Sequence, residues 1–133
     1  MEKKDFKFII AAVVIAALTI LISAMPADDI ISKSNDTTIV NTQLIAKDVK
    51  GYKGATPVKI YIRKNKVVKI EAMPNRETPK FFARAKTVLA SWDGKTVSKA
   101  TKMNVDGVSG ATFSSRALIK NVQMGLSYYK EHK

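Results

Sequence analysis

The feature that most constrains this chain is an uncharged apolar run from Phe8 to Met25. A stretch of that length spans a bilayer, if barely. Met1-Glu2-Lys3-Lys4-Asp5-Phe6-Lys7 stands before it, with three lysines and the α-amino group against two acids, and Pro26-Ala27-Asp28-Asp29 follows. A basic flank before the run and an acidic one after it favour an N-terminus inside and a C-terminal domain outside. Ile22-Ser23-Ala24 also fits a small-residue cleavage site, so a secretory signal is the alternative to a retained anchor. A buried helix of a soluble domain would share the hydropathy but leaves the lysines unexplained. Under either of the first two readings the working domain is extracytoplasmic.

The 108 residues after Met25 suffice for one small core. The chain has no cysteine, which removes disulfides, iron–sulfur clusters, thiolate zinc sites and thiol catalysis. Its one histidine, His132, stands next to the C-terminus, so His-based triads and multi-histidine metal sites are excluded as well. No metal site and no catalytic acid–base set is expected. Chemistry is left to hydroxyls, carboxylates, backbone amides and the cations. With 23 Lys and Arg against 11 Asp and Glu, the formal charge of +12 points to an anionic partner or surface.

Three regions are expected: residues 1–25 as anchor or signal, 26–38 as a polar linker containing Ser32 to Thr38, and 39–133 as the working domain. Gln43 to Val49 is a weak strand candidate. Val58, Ile60 and Ile62 alternate with Lys59, Tyr61 and Arg63, and Val68, Ile70 and Ala72 alternate with Lys69 and Glu71. With Lys64-Asn65-Lys66 as the turn, this predicts a hairpin with one apolar and one wet face. Thr78-Pro79 reads as a helix start, with Thr as N-cap and Pro at the first helical position. Phe81, Phe82, Ala85, Val88 and Leu89 follow as a stripe aimed at a core, up to a stop at Trp92-Asp93-Gly94-Lys95. A last helix is predicted from about Ser114 to Tyr129, with Leu118, Val122, Leu126 and Tyr129 on one side. The fold class is therefore α+β: a small antiparallel sheet with two main helices packed on it, preceded by one N-terminal transmembrane helix.

The most informative stretch is Val105-Asp106-Gly107-Val108-Ser109-Gly110-Ala111-Thr112-Phe113-Ser114-Ser115, leading into that last helix. By composition it is a loop of small and hydroxyl residues at a helix N-terminus, where free N–H groups and the helix dipole favour a phosphate. Gly107 and Gly110 allow close backbone approach, and Thr112 presents a hydroxyl. An ordinary helix start with nothing bound has the same composition.

Asp106-Gly107-Val108-Ser109-Gly110-Ala111-Thr112 also resembles the flavinylation motif of the FMN-binding domain family, D-x-x-S/T-G-A-T/S. That family includes flavin-carrying subunits of the sodium-pumping NADH:quinone oxidoreductase and of the related Rnf complex, and small anchored or secreted redox proteins. The resemblance implies FMN carried through a phosphodiester on the last hydroxyl, here Thr112, with Asp106, Ser109, Gly110 and Ala111 as its surroundings. It further implies a flavin transferase that uses FAD as FMN donor outside the cytoplasm. It runs from about Gly51 to Leu126. Gly51-Tyr52-Lys53-Gly54 resembles the family's glycine-rich turn, and Glu77-Thr78-Pro79 its Glu-Thr-Pro element, which in relatives lies near the flavin ring. Some members continue with glycines where this chain has Lys80-Phe81-Phe82. Tyr52, Phe81, Phe82 and Trp92 are the aromatic candidates to flank a ring, although Phe81 and Phe82 fit a core stripe better. Glu77, Thr78 and Tyr52 complete the expected cofactor site.

Two other motifs fail. Gly94-Lys95-Thr96 resembles the end of a P-loop, but Leu89 stands where its first glycine belongs. Gly51-Tyr52-Lys53-Gly54 matches the GXXG of an RNA-binding KH loop, which joins two helices, whereas here a strand follows. Nucleic acid is not an expected partner of an exported domain; lipid headgroups, FAD or an acidic redox partner suit the charge better. The expectation is a single-pass, membrane-anchored electron carrier with covalent FMN, served by a membrane electron donor and an extracytoplasmic acceptor. A secreted or periplasmic form follows if the segment is cleaved. A stand-alone flavin reductase and a non-redox anchored binding module are the alternatives.

Overall fold

The computed structural model describes residues 30–133. The expected membrane segment lies outside the described residues, and among those described no helix is long and apolar enough to cross a membrane. Four strands, β1 (Ile31–Ser34), β2 (Thr37–Asn41), β3 (Val58–Arg63) and β4 (Lys66–Ala72), form one antiparallel sheet in the order β1-β2-β3-β4. Helices α1 (Pro79–Ala85), α2 (Val97–Ala100) and α3 (Thr112–His132) follow, with a 3-10 segment at Lys86–Trp92. The α+β class with a small antiparallel sheet is what the patterning predicts; of the two main helices expected on it, α3 lies on the sheet and α1 packs on α3.

The first hairpin corrects the sequence reading. Ser32 to Thr38, expected as a linker, contributes to β1 and β2 and turns at Asn35 with φ 58°. Its Ser, Thr and Asn residues hid the strands, because this half of the sheet buries little beyond Val40. Gln43 to Val49, expected as a strand, is instead a run of turns ending in an Ala46-to-Val49 backbone bond of 3.0 Å.

The second hairpin forms as expected. Val58, Ile60 and Ile62 are buried, and Lys64 and Asn65 both adopt positive φ, 52° and 60°, as a two-residue turn requires. One position differs. The ladder slips between Tyr61 and Ile62, so that Ile62 faces Val67 while Tyr61 faces Lys69. Val68 becomes the extra residue of a bulge and points outward at 43% exposure, and Val67 takes its place in the core.

The helix expected from Thr78 to Trp92 is in two parts. Thr78 holds the N-cap position with Pro79 behind it, but its side chain makes no capping bond. After Ala85 the turns tighten to 3-10; Thr87 Oγ1 donates to the Arg84 carbonyl at 2.7 Å, diverting a helix acceptor. This 3-10 segment buries Val88, Leu89 and Trp92 against β4, whereas α1 packs on α3. Trp92 is wholly enclosed and so flanks no ligand. Phe82 packs against the core as expected, but Phe81 is 47% exposed.

α3 carries the core. Leu118, Val122, Leu126 and Tyr129 are buried on one face, as their spacing predicts. Gly125 lets the helix approach the sheet: an added Cβ would lie 2.5 Å from Ile60 Cδ1 and 2.9 Å from Thr42 Cγ2. Beside it a buried polar cluster ties helix to sheet. The Val58 amide donates to Thr42 Oγ1 at 2.9 Å, and that hydroxyl donates to Asn121 Oδ1 at 2.6 Å. Asn121 Nδ2 donates to the Ala117 carbonyl at 2.9 Å, and Thr56 Oγ1 lies 3.5 Å away. Removing one member strands the others in a dry site. Asn121→Ala is therefore expected to lower unfolding stability by about 1–3 kcal/mol, measured by denaturant titration; a value within experimental error of zero would refute this role.

Candidate functional site

The site begins from one carboxylate. Glu77 is 6% exposed, on the connection between β4 and α1. Its oxygens accept from the backbone amides of Tyr52 (2.7 Å) and Lys53 (2.6 Å) and from Ser114 Oγ (2.5 Å). Three segments distant in sequence are thereby fixed together: the Gly51–Gly54 turn, the approach to α1 and the first turn of α3. The turn is closed by a Gly51-to-Gly54 backbone bond of 2.8 Å. Gly51 lies hard against this carboxylate, and an added Cβ would overlap Glu77 Oε1 and displace it from its donors.

Burial by itself would raise the Glu77 pKa. The bonds from Ser114 Oγ and from the Lys53, Tyr52 and Gly54 amides outweigh it and hold the carboxyl below its ordinary range. Glu77 is thus an ionised anchor, with its oxygens occupied by the protein's own donors.

The motif loop is built around Gly110 and Ser115. Gly110 turns the chain with φ 82°, a conformation that side chains rarely adopt. The Ala111 amide then donates back to the Val108 carbonyl at 3.0 Å, and the Ala111 side chain is buried under the loop. Ser115, fully buried one turn into α3, accepts the Val108 amide at 2.8 Å. The backbone therefore delivers Thr112, the first residue of α3, to the surface, where its side chain is exposed. Arg84 of α1 lies across the loop, its Nη1 3.1 Å from where a Cβ on Gly110 would be.

Thr112 opens into a pocket of about 320 Å³ lined by Tyr52, Thr78, Phe81, Gly110, Ala111, Thr112, Phe113 and Ser114. Tyr52 and Phe113 pair with each other on its lining, with ring centroids 6.2 Å apart and planes inclined at 42°. Both are largely solvent-exposed, at 71% and 67%. Soluble domains normally bury such rings, and three of them around one hydroxyl mark a surface built for a ligand. The volume and the aromatic lining suit a flat aromatic group.

Of the expected site residues, Tyr52, Thr78, Gly110, Ala111 and Thr112 meet at this pocket, and Glu77 braces it from behind. Asp106 and Ser109 are exposed and do not line it. The sequence reading included Phe113, Ser114 and Ser115 in the loop without giving them a role, and it preferred the core to a ring contact for Phe81. Helical spacing carries part of the signal. Counting back from Leu118 and Val122 puts Ser114 and Ser115 on the buried face of α3 and Phe113 off it. Among the described residues no cluster of three or more His, Asp or Glu side chains is placed to hold a metal.

The anchoring carboxylate predicts a pH dependence. Its pKa is depressed in the folded chain, so its contribution is complete above the unfolded value of about 4.3 and is lost as pH falls through the lower folded value. Wild type should lose stability in that window. Glu77→Gln should be weaker at neutral pH by about 2–3 kcal/mol and show a flatter acid limb. Denaturant melts across the acid range test this, and parallel acid limbs would refute it.

Residues 51–127 match the model of the FMN-binding domain family. Among curated proteins no relative matches this chain.

Proposed function

As the chain belongs to the FMN-binding domain family, we propose that it is a membrane-anchored extracytoplasmic flavoprotein, carrying FMN covalently through a phosphodiester on Thr112 and acting as an electron carrier. It binds flavin by membership of that family; the linkage, the location and the carrier role are the proposal. The observation that carries it is the exposed Thr112 side chain at the head of a pocket walled by Tyr52, Phe81 and Phe113.

The residues present fit the group. The rings of Tyr52 and Phe113 offer apolar faces for a flat heteroaromatic system. Gly110 and Ala111 keep the approach to Thr112 clear of side chains, and Arg84 places a cation beside the loop where a phosphate would be held. FMN, when bound, supplies reversible electron transfer, and the protein's part is to hold it, orient it and set its electrostatic surroundings. Electron transfer of this kind needs no general acid or base from the chain. Attachment calls for a flavin transferase: the Thr112 oxygen bonds to the FMN phosphorus of FAD, its proton is lost, and AMP leaves. The run from Phe8 to Met25 serves as the anchor, with a membrane donor and an extracytoplasmic acceptor as redox partners.

Co-export of the chain with a flavin transferase tests the reading. Intact mass should rise by one FMN less one water, with fluorescence surviving a denaturing gel. Thr112→Ala should abolish both, and Thr112→Ser should retain them. An unflavinylated wild type, with the transferase active on a control substrate, would overturn the proposal. In the flavinylated protein, Arg84→Gln should move the midpoint potential to more negative values, because a nearby cation favours the anionic reduced flavin. Spectroelectrochemical titration measures the shift, and an unmoved potential would remove Arg84 from this role.

A further inference from the structure

The strand directions bring the site and the start of the folded chain to one end of the sheet. β2 ends at Asn41, β3 begins at Val58 and β4 ends at Ala72, and the register aligns these positions. The β2–β3 connection, with Tyr52, and the β4–α1 connection, with Glu77 and Thr78, both leave from that end. β1 enters there too: Ile31 pairs with Val40, and the Ile30 carbonyl accepts from the Asn41 amide at 2.9 Å. α3 starts at the same end with Thr112. It finishes at the other, where Tyr129 Oη donates to Asn65 Oδ1 at 3.1 Å in the β3–β4 turn. The 21 residues of α3 separate the two ends by about 30 Å.

We infer that the domain rests on the bilayer with its pocket end toward the lipid, so that Thr112 and the rings around it face phospholipid headgroups. This rests on the anchored reading of Phe8 to Met25. Only Pro26 to Ile30 then lie between the membrane segment and β1, and five residues span about 17 Å even when fully extended. The chain enters the fold at the pocket end, so that end is held within reach of the membrane while the β3–β4 turn points away.

The surface agrees with this direction. Five large apolar residues are exposed among those described: Tyr52, Phe113, Phe81 and Leu44 belong to the pocket or to the β2–β3 connection, and only Val68, at the bulge, lies near the far turn. The turns at the far end are Asn35-Asp36 and Lys64-Asn65, with no apolar residue at their tips. Rings with an exposed apolar body settle at the headgroup level of a bilayer. Charge does not choose between the ends: Lys50, Lys53, Arg76 and Lys80 suit phosphates at one, but Arg63, Lys64 and Lys66 are as basic at the other. The point of entry and the apolar rim decide it. A redox group on Thr112 is then presented to membrane-embedded partners rather than to freely diffusing ones.

The absence of native cysteine allows single nitroxide labels on the full chain. Lys53→Cys and Lys80→Cys report the pocket end and Asp36→Cys the far end, with the chain reconstituted in vesicles of phosphatidylcholine and phosphatidylglycerol in equal parts. The readout is the ratio of collision with lipid-soluble oxygen to collision with a water-soluble nickel chelate, which cancels local crowding. A several-fold higher ratio at Lys53 and Lys80 than at Asp36 is expected. Equal ratios on a chain that floats with the vesicles would overturn the orientation. A chain that does not float would overturn the anchor with it. The labels need no flavin, so their result is separable from that of the Thr112 mass experiment.

Discussion

The Glu77 carboxylate is the interaction on which the site depends. A carboxylate taken out of water is unfavourable unless donors replace the lost solvent. Here they come from the Gly51–Gly54 turn and from Ser114, so the requirement of one charge determines where two other segments go. The absence of a side chain at Gly51 is part of the same arrangement, since the turn lies directly against the carboxylate oxygen. Tyr52 projects from that turn and Phe113 stands beside Ser114 in sequence. The walls of the pocket are therefore set by a group that does not line it.

α3 transmits this order across the domain. Its first turn carries the Ser114 bond to Glu77 and the Ser115 clamp on Val108; its middle lies on the sheet through Gly125, Asn121 and the Leu118, Val122 and Leu126 face. Its last turns reach the β3–β4 turn through Tyr129. A helix held at both ends and in the middle cannot slide along its axis, which keeps Thr112 in register with the aromatic rings. The sheet carries the site only through the connections at one end, and the same end receives the N-terminal chain.

Much of this was legible in the residues. The β3–β4 hairpin followed from alternation around Lys64-Asn65, the core face of α3 from its spacing, and the loop Asp106 to Thr112 from its small and hydroxyl composition at a helix start. The failures share a physical cause. The β1–β2 hairpin is an edge with little to bury, so its polar sequence resembled a linker. Val67 replaced Val68 in the core because a bulge changes the phase of the strand, which alternation cannot register. Phe81 fits the helical stripe, but α1 packs on α3 rather than on the sheet, and its first turn faces the pocket.

By itself the sequence determined the class of fold, the β3–β4 hairpin, the start of α1, the core face of α3 and the hydroxyl loop, because these follow from local periodicity and backbone chemistry. It also excluded thiol and histidine chemistry by composition. Only the tertiary structure decided that Tyr52, Thr78, Phe81 and Phe113 converge on Thr112, and that Asp106 and Ser109 stay outside. Convergence of residues some 60 positions apart depends on strand direction, helix docking and one buried charge seeking donors. None of these is encoded at any single site along the chain.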